Sequence, residues 1–168
     1  MPTLYIITGP AGVGKSTISK SLSQRLNRSV LIEGDLIYHQ VVGGYVKAWK
    51  EGNHLSTFWK VCINMMENYL SDGFDVVFNY IVTKDELENI KNKLKDYRIK
   101  FVVLITDEKT LLSRDKERLP DNQMGERCTI LLNNFKNSNY PKKYFLDTTN
   151  LSVSETTSII ENENEFIL

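Results

Sequence analysis

Only two cysteines occur in the chain, Cys62 and Cys128, far apart and each inside a helical pattern. That excludes a disulfide framework, and free thiols in a reducing compartment are the expected state. No Cys and His fall into a metal-ligand cluster, which removes the zinc-site classes. No run of about 18 apolar residues occurs, so neither a membrane span nor a membrane partner is expected. Met1-Pro2 leads directly into an apolar strand, leaving no room for a signal peptide, and a cytoplasmic location is expected. Charge of one sign is not in excess: Lys plus Arg is 21, Asp plus Glu is 21, and the formal net charge is zero. A protein that grips long nucleic acid usually presents a basic surface, so nucleic acid is disfavoured as a partner. No internal repeat or low-complexity linker interrupts the chain.

What is present reads as one domain over 1–168. Its 41% hydrophobic and 25% charged residues suit a globular core. The most informative stretch is near the start. Leu4-Tyr5-Ile6-Ile7-Thr8 is a β-prone run, and Ile18 to Leu26 is helix-forming. Between them lies Gly9-Pro10-Ala11-Gly12-Val13-Gly14-Lys15-Ser16-Thr17, which fits the phosphate-loop pattern G-x-x-x-x-G-K-[ST]. Glycines allow positive φ angles that turn backbone N–H groups inward, and no side chain blocks a phosphate. The helix N-terminus adds unpaired N–H groups. The expected phosphate contacts are Gly9, Ala11, Gly12, Val13, Gly14, Lys15, Ser16 and Thr17, with Lys15 on the β- and γ-phosphates and Ser16 on Mg²⁺.

Strand and helix patterns then alternate. Strands are expected at Ser29–Glu33, Asp75–Ile81, Lys100–Ile105 and Tyr144–Asp147. Helices are expected from Asp35 to about Val42, from His54 to Ser71 and from Thr83 to about Tyr97. Three more are expected, from Asp107 to about Leu119, from Glu126 to Asn137, and from Ser152 or Ser154 onward. Such alternation implies βαβ units, a parallel sheet and helices on both faces. Ligands in such sheets sit at the carboxyl ends of the strands, which gathers Gly9–Ser16, Asp35, Asn79–Tyr80, Thr106 and Asp147–Asn150 on one rim.

Three further groups bear on chemistry. Phosphoryl transfer to a hydroxyl needs a carboxylate to orient the nucleophile and take its proton, and Asp35 is the candidate. Glu33 points to the same side and is placed to hold a Mg²⁺-bound water. The competing reading makes Asp35 only a helix cap. Arg114 and Arg118 share a helix face before a Pro/Gly-bounded loop, and Arg127 follows it. They read as a lid over about 118–126 that stabilises transferring charge and excludes water, against the alternative of a solvated charged face. Tyr38, Tyr45 and Trp49 are aperiodic aromatics suited to an acceptor pocket, as is Asn79 at its strand end. Phe58 and Trp59 read as core, and His39 and His54 as structural.

The phosphate loop, Glu33-x-Asp35 and Arg114-x-x-x-Arg118 resemble the shikimate kinase, gluconate kinase and chloramphenicol phosphotransferase group of small P-loop kinases. The runs Ile32-Glu33-Gly34-Asp35 and Gln123-Met124-Gly125-Glu126-Arg127-Cys128 are most similar to bacterial gluconate kinase-like proteins. The resemblance implies an α/β fold: a P-loop NTPase three-layer α/β/α sandwich with a five-stranded parallel sheet of order 2-3-1-4-5. It implies ATP with Mg²⁺, and a nucleotide and a small-molecule acceptor as partners of a monomer or homodimer. By motif match Lys15, Asp35 and Arg118 are catalytic. Arg114, Arg118 and the Asp147–Asn150 loop with Thr149 face the nucleotide. Arg127 matches the arginine after the lid and faces the acceptor. Two departures matter. The third strand ends in Asn79-Tyr80 instead of an acid, leaving an ATP-binding switch without transfer as an alternative function. Between Asp35 and Tyr69 only Lys47, Lys50 and Lys60 are basic, which disfavours a carboxylate-bearing acceptor and favours a nucleoside or antibiotic. A nucleic-acid end kinase is the remaining alternative.

Overall fold

A computed structural model describes residues 1–120 and 123–168. Five strands alternate with seven helices among these residues. They run β1 (Thr3–Thr8), α1 (Lys15–Arg25), β2 (Ser29–Glu33), α2 (Gly34–Tyr38), α3 (Leu55–Ser71), β3 (Asp75–Asn79) and α4 (Lys84–Lys93). Then follow β4 (Arg98–Ile105), α5 (Glu108–Lys116), α6 (Glu126–Lys136), β5 (Phe145–Asp147) and α7 (Val153–Asn162). The sheet is parallel throughout, in the order β2-β3-β1-β4-β5, as the resemblance implies.

Central β1 is buried over its whole length, because helices cover both faces. Alternate residues serve opposite cores. Leu4 and Ile6 pack with Phe58, Cys62 and Met66 of α3. Tyr5 and Ile7 pack with Ile18 and Leu22 of α1 and Ile160 of α7. Each fully buried aliphatic side chain contributes about 1.5–3 kcal/mol relative to exposure.

Boundaries differ from expectation where tertiary contacts intervene. β3 stops at Asn79, not Ile81: the chain leaves the sheet as the Val82 N–H donates to Thr8 Oγ1 at 3.0 Å. The second helix stops at Tyr38, not Val42, and the Tyr38 hydroxyl donates to the Val46 carbonyl at 2.7 Å. The Thr83–Glu86 capping box forms as expected. Asp107 and Ser152 cap α5 and α7 through Thr110 N–H and Glu155 N–H.

Candidate active site

The phosphate loop joins β1 to α1 through three glycines with positive φ: Gly9 at 143°, Gly12 at 81° and Gly14 at 103°. At Gly9 a Cβ would collide with the Leu104 carbonyl oxygen, so only glycine fits between the loop and β4. Gly14 stands before α1 with nothing within 4 Å of its missing Cβ, so that side of the loop is open. Lys15 folds back: its Nζ donates to the carbonyls of Gly9 at 3.0 Å and Pro10 at 2.9 Å. Burial pushes its pKa down to about 8; Asp35 opposes this and Arg118 adds to it. The hydroxyl-bearing Ser16 and Thr17 are exposed at the helix start. A loop open at Gly14, a lysine resting on carbonyls and an exposed serine at the helix start fit a Mg²⁺-bound triphosphate. Ser16 would hold the metal; Glu33, the other expected metal residue, accepts from Asn79 Nδ2 at 3.4 Å and does not line the cleft.

The loop floors a cleft of about 740 Å³. Arg114 borders one side of it. One guanidinium nitrogen donates to the Val13 carbonyl at 3.1 Å and Thr148 Oγ1 at 3.2 Å, and the other to the Thr148 carbonyl at 3.2 Å. The loop after β5 is thereby tied to the phosphate loop. Leu151, Val153 and Thr156 continue this wall.

On the other side stands Asp35, in the first turn of α2. It is exposed to the cleft, and its carboxylate makes no hydrogen bond to the described residues. The cap position belongs to Glu33, which makes no side-chain cap bond, so the capping reading of Asp35 does not describe this turn. Gly34 is required here: a Cβ would lie 2.6 Å from Tyr80 Cδ2, because the Tyr80 ring packs on the turn. Burial raises the Tyr80 phenol well above its ordinary pKa, and Asp35 raises it further. Trp49 lines the same side, with the Arg127 guanidinium 3.8 Å above its ring. Glu86 completes the wall; its carboxylate accepts from Trp59 Nε1 at 2.6 Å and Thr83 N–H at 2.7 Å.

Asp121 and Asn122 of the expected lid lie outside the described residues. The flanking parts converge on Asp115, a buried residue of α5. Its carboxylate accepts the N–H groups of Met124 at 2.9 Å and Gly125 at 2.9 Å, and pairs with Arg118 Nη1 at 3.3 Å. Burial alone would raise its pKa, but the bonds from Gly125, Met124 and Arg118 outweigh this and hold it low.

Of the expected site residues, Ala11, Gly12, Val13, Gly14, Lys15, Ser16, Thr17, Asp35, Trp49, Arg114, Arg118 and Arg127 line the one cleft. Others, Glu33 among them, do not line it. Gly9 underlies the loop. Tyr38 is buried, its ring stacked 4.0 Å from that of His54. Tyr45 turns its hydroxyl to His39 Nε2 at 3.1 Å. Asn79 is buried and donates to Glu33 Oε1 at 3.4 Å. Thr149 Oγ1 accepts the Asp107 N–H at 2.9 Å, while its neighbour Thr148 faces the cleft. Sequence reasoning put Tyr80 and Thr148 on the ligand rim without giving either a role, and it missed Asp115 and Glu86. Strand alternation offered a signal for Tyr80, since Asn79 and Tyr80 must point opposite ways.

A family model described as an AAA domain matches residues 6–137. No curated protein matches the sequence. Among solved structures, a tunicamycin resistance protein from Deinococcus radiodurans superposes with a TM-score of 0.70 at 17% identity, covering 95% of this chain and 94% of that one. A gluconokinase from Sinorhizobium meliloti gives 0.66 at 14% identity, over 95% and 89%. A chain of the Pnkp1/Rnl/Hen1 RNA repair complex gives 0.61 at 17%, over 83% and 47%. At such identities the likeness is one of fold. The family match spans the phosphate loop, Asp35 and all three cleft arginines; the chain belongs to the AAA domain family of P-loop proteins and has the fold of the small P-loop kinases.

Proposed function

We propose that the protein is an ATP- and Mg²⁺-dependent kinase that transfers the γ-phosphoryl group to a hydroxyl of a small molecule. The observation that carries this reading is Asp35. Its carboxylate is free of bonds to the described residues and opens onto the same cleft as Lys15. Lys15 would exchange its carbonyl partners for phosphate oxygens. Asp35 would hold the acceptor hydroxyl and take its proton as the new P–O bond forms, and the leaving ADP oxygen departs on the opposite side. Arg118 supplies charge for the transferring group. Mg²⁺, bound with the triphosphate, supplies further neutralisation of that charge. A gluconokinase and an RNA repair chain share the fold, so the acceptor class is not given by fold.

The test is ATP consumption and product detection across hydroxyl-bearing metabolites, nucleosides and antibiotics, with short oligonucleotides included. Asp35→Asn is expected to cut transfer by about 10²–10⁴-fold, the usual share of a general base. ATP binding and the melting temperature are expected to stay unchanged. Full transfer by Asp35→Asn removes it from the mechanism. A second reading rests on Asn79, which stands at the end of β3 where related kinases often carry an acid. An ATP-binding switch would hold ATP tightly and yield no phosphorylated product with any acceptor.

A further inference from the structure

The cleft does not end at Asp35. A second cavity of about 310 Å³ adjoins it, and Ile81, Thr83 and Leu131 line both. The second cavity runs between the Ile81–Lys84 segment and one face of α6. Leu131, Asn134 and Phe135 recur at helical spacing along that face, and Ser138 follows just past the end of the helix. The rise per residue makes the helical stretch from Leu131 to Phe135 about 6 Å long, and Ser138 carries the groove beyond it. Arg127, one turn before Leu131, marks where this face enters the main cleft. At the far end the Tyr140 hydroxyl donates to the Val82 carbonyl at 2.9 Å, which fixes the wall.

The chemistry of this extension differs from that of the donor side. Its floor is aliphatic and aromatic, from Ile81, Leu131 and Phe135. The cleft it opens from carries the carboxylates of Asp35 and Glu86, neither of which joins a salt bridge with the described residues, and Lys84 lines the groove itself. The Arg127 guanidinium there lies on Trp49. The two carboxylates are matched by Arg127 in the cleft and Lys84 in the groove, so no excess charge calls for an ionic acceptor, whereas a neutral alcohol with an extended apolar body would meet Ile81, Leu131 and Phe135.

We infer that this groove is the acceptor's second subsite, and that the acceptor is a neutral alcohol carrying an elongated apolar portion. The inference rests on the kinase reading: the hydroxyl lies at Asp35, and the apolar remainder passes Leu131 toward Ser138. The wall shared with the cleft favours this occupant over a protein segment.

The probes are 1-butanol, 1-hexanol and 1-octanol, titrated calorimetrically with a non-hydrolysable ATP analogue and Mg²⁺ present. Affinity is expected to rise about fourfold per methylene, the usual effect of burying one. Ser138→Trp and, from an exposed position, Asn134→Trp fill the groove. Both are expected to abolish the gain for 1-octanol while leaving 1-butanol and the nucleotide analogue unaffected. Equal affinity for all three alcohols, or indifference to both substitutions, overturns the groove assignment. Self-association in sedimentation that Ser138→Trp dissolves, without chain-length dependence, also overturns it in favour of a protein interface. The two readings separate in a parallel turnover assay with ATP. Chain-length-dependent binding with no acceptor phosphorylated defeats the kinase reading and leaves an apolar-ligand site. Phosphorylation of other acceptors without chain-length dependence defeats the groove and leaves the kinase.

Discussion

Raising the pH from 7 to 9 is expected to weaken nucleotide binding about tenfold, through Lys15 alone. In the free protein, burial holds its pKa at about 8. A group with that pKa is about nine-tenths protonated at pH 7 and about one-tenth at pH 9. A polyphosphate replacing the Gly9 and Pro10 carbonyls as its partner favours the charged form and restores a pKa near or above the ordinary lysine value of about 10.4. The bound state then stays protonated at both pH values, so binding takes up a proton as pH rises through 8. The sign follows: the folded free-state pKa is depressed, the bound-state pKa is raised, and affinity is lost as pH climbs between them. Titration calorimetry in two buffers of different ionisation enthalpy measures both the affinity and the proton uptake. Lys15→Met is expected to bind weakly and without this pH dependence. A wild-type affinity that is flat from pH 7 to 9, with no proton uptake, refutes the assigned role of the buried ammonium.

Asp115→Ala leaves the Met124 and Gly125 N–H groups without their acceptor and is expected to cost about 2–4 kcal/mol, read as a melting point lower by about 4–16 °C for a chain of this size. The folded pKa of Asp115 is depressed, so its contribution is present above the ordinary aspartate range and is lost as pH falls below it; the variant's melting curve should lack that acid-side dependence. A variant melting within a degree of the parent removes Asp115 as the anchor of this segment. Gly34→Ala drives a methyl into Tyr80 and is expected to destabilise by about 1–3 kcal/mol. Gly34→Ala combined with Tyr80→Ala should recover part of that loss in denaturant titrations; additive losses would show that the contact is not the cause.

Features fixed by neighbours in sequence were legible. The phosphate loop, the Thr83–Glu86 capping box and the strand–helix alternation each lie within a few residues, and each forms as read. Features made by long-range contact were not. Asp115 sits in Arg114-Asp115-Lys116-Glu117-Arg118, which reads as an exposed face of alternating charge; only the fold brings the N–H groups of Met124 and Gly125 to it. Glu86 announced itself as half of a cap, and nothing local says that Trp59, 27 residues earlier, donates to it. The aromatic cluster divided for the same reason. Tyr38 lies in the core while Trp49 meets Arg127, a pairing set by how α6 returns to the cleft. The groove along α6 needed both its walls, and they come from segments some 50 residues apart.

Arg114 has a consequence for how such a protein can diversify. It clamps the Val13 carbonyl to the loop at Thr148, so the walls on the nucleotide side form one mechanical piece. The opposite side is braced behind its surface, by Trp59 on Glu86 and by the Tyr140 hydroxyl on the Val82 carbonyl, while Trp49, Tyr80 and Leu131 face the cleft as single side chains. On the kinase reading, laboratory evolution can therefore redraw the acceptor one substitution at a time while the phosphate donor keeps its seat. Libraries confined to that half should stay folded and ATP-competent far more often than libraries touching Arg114 or Thr148.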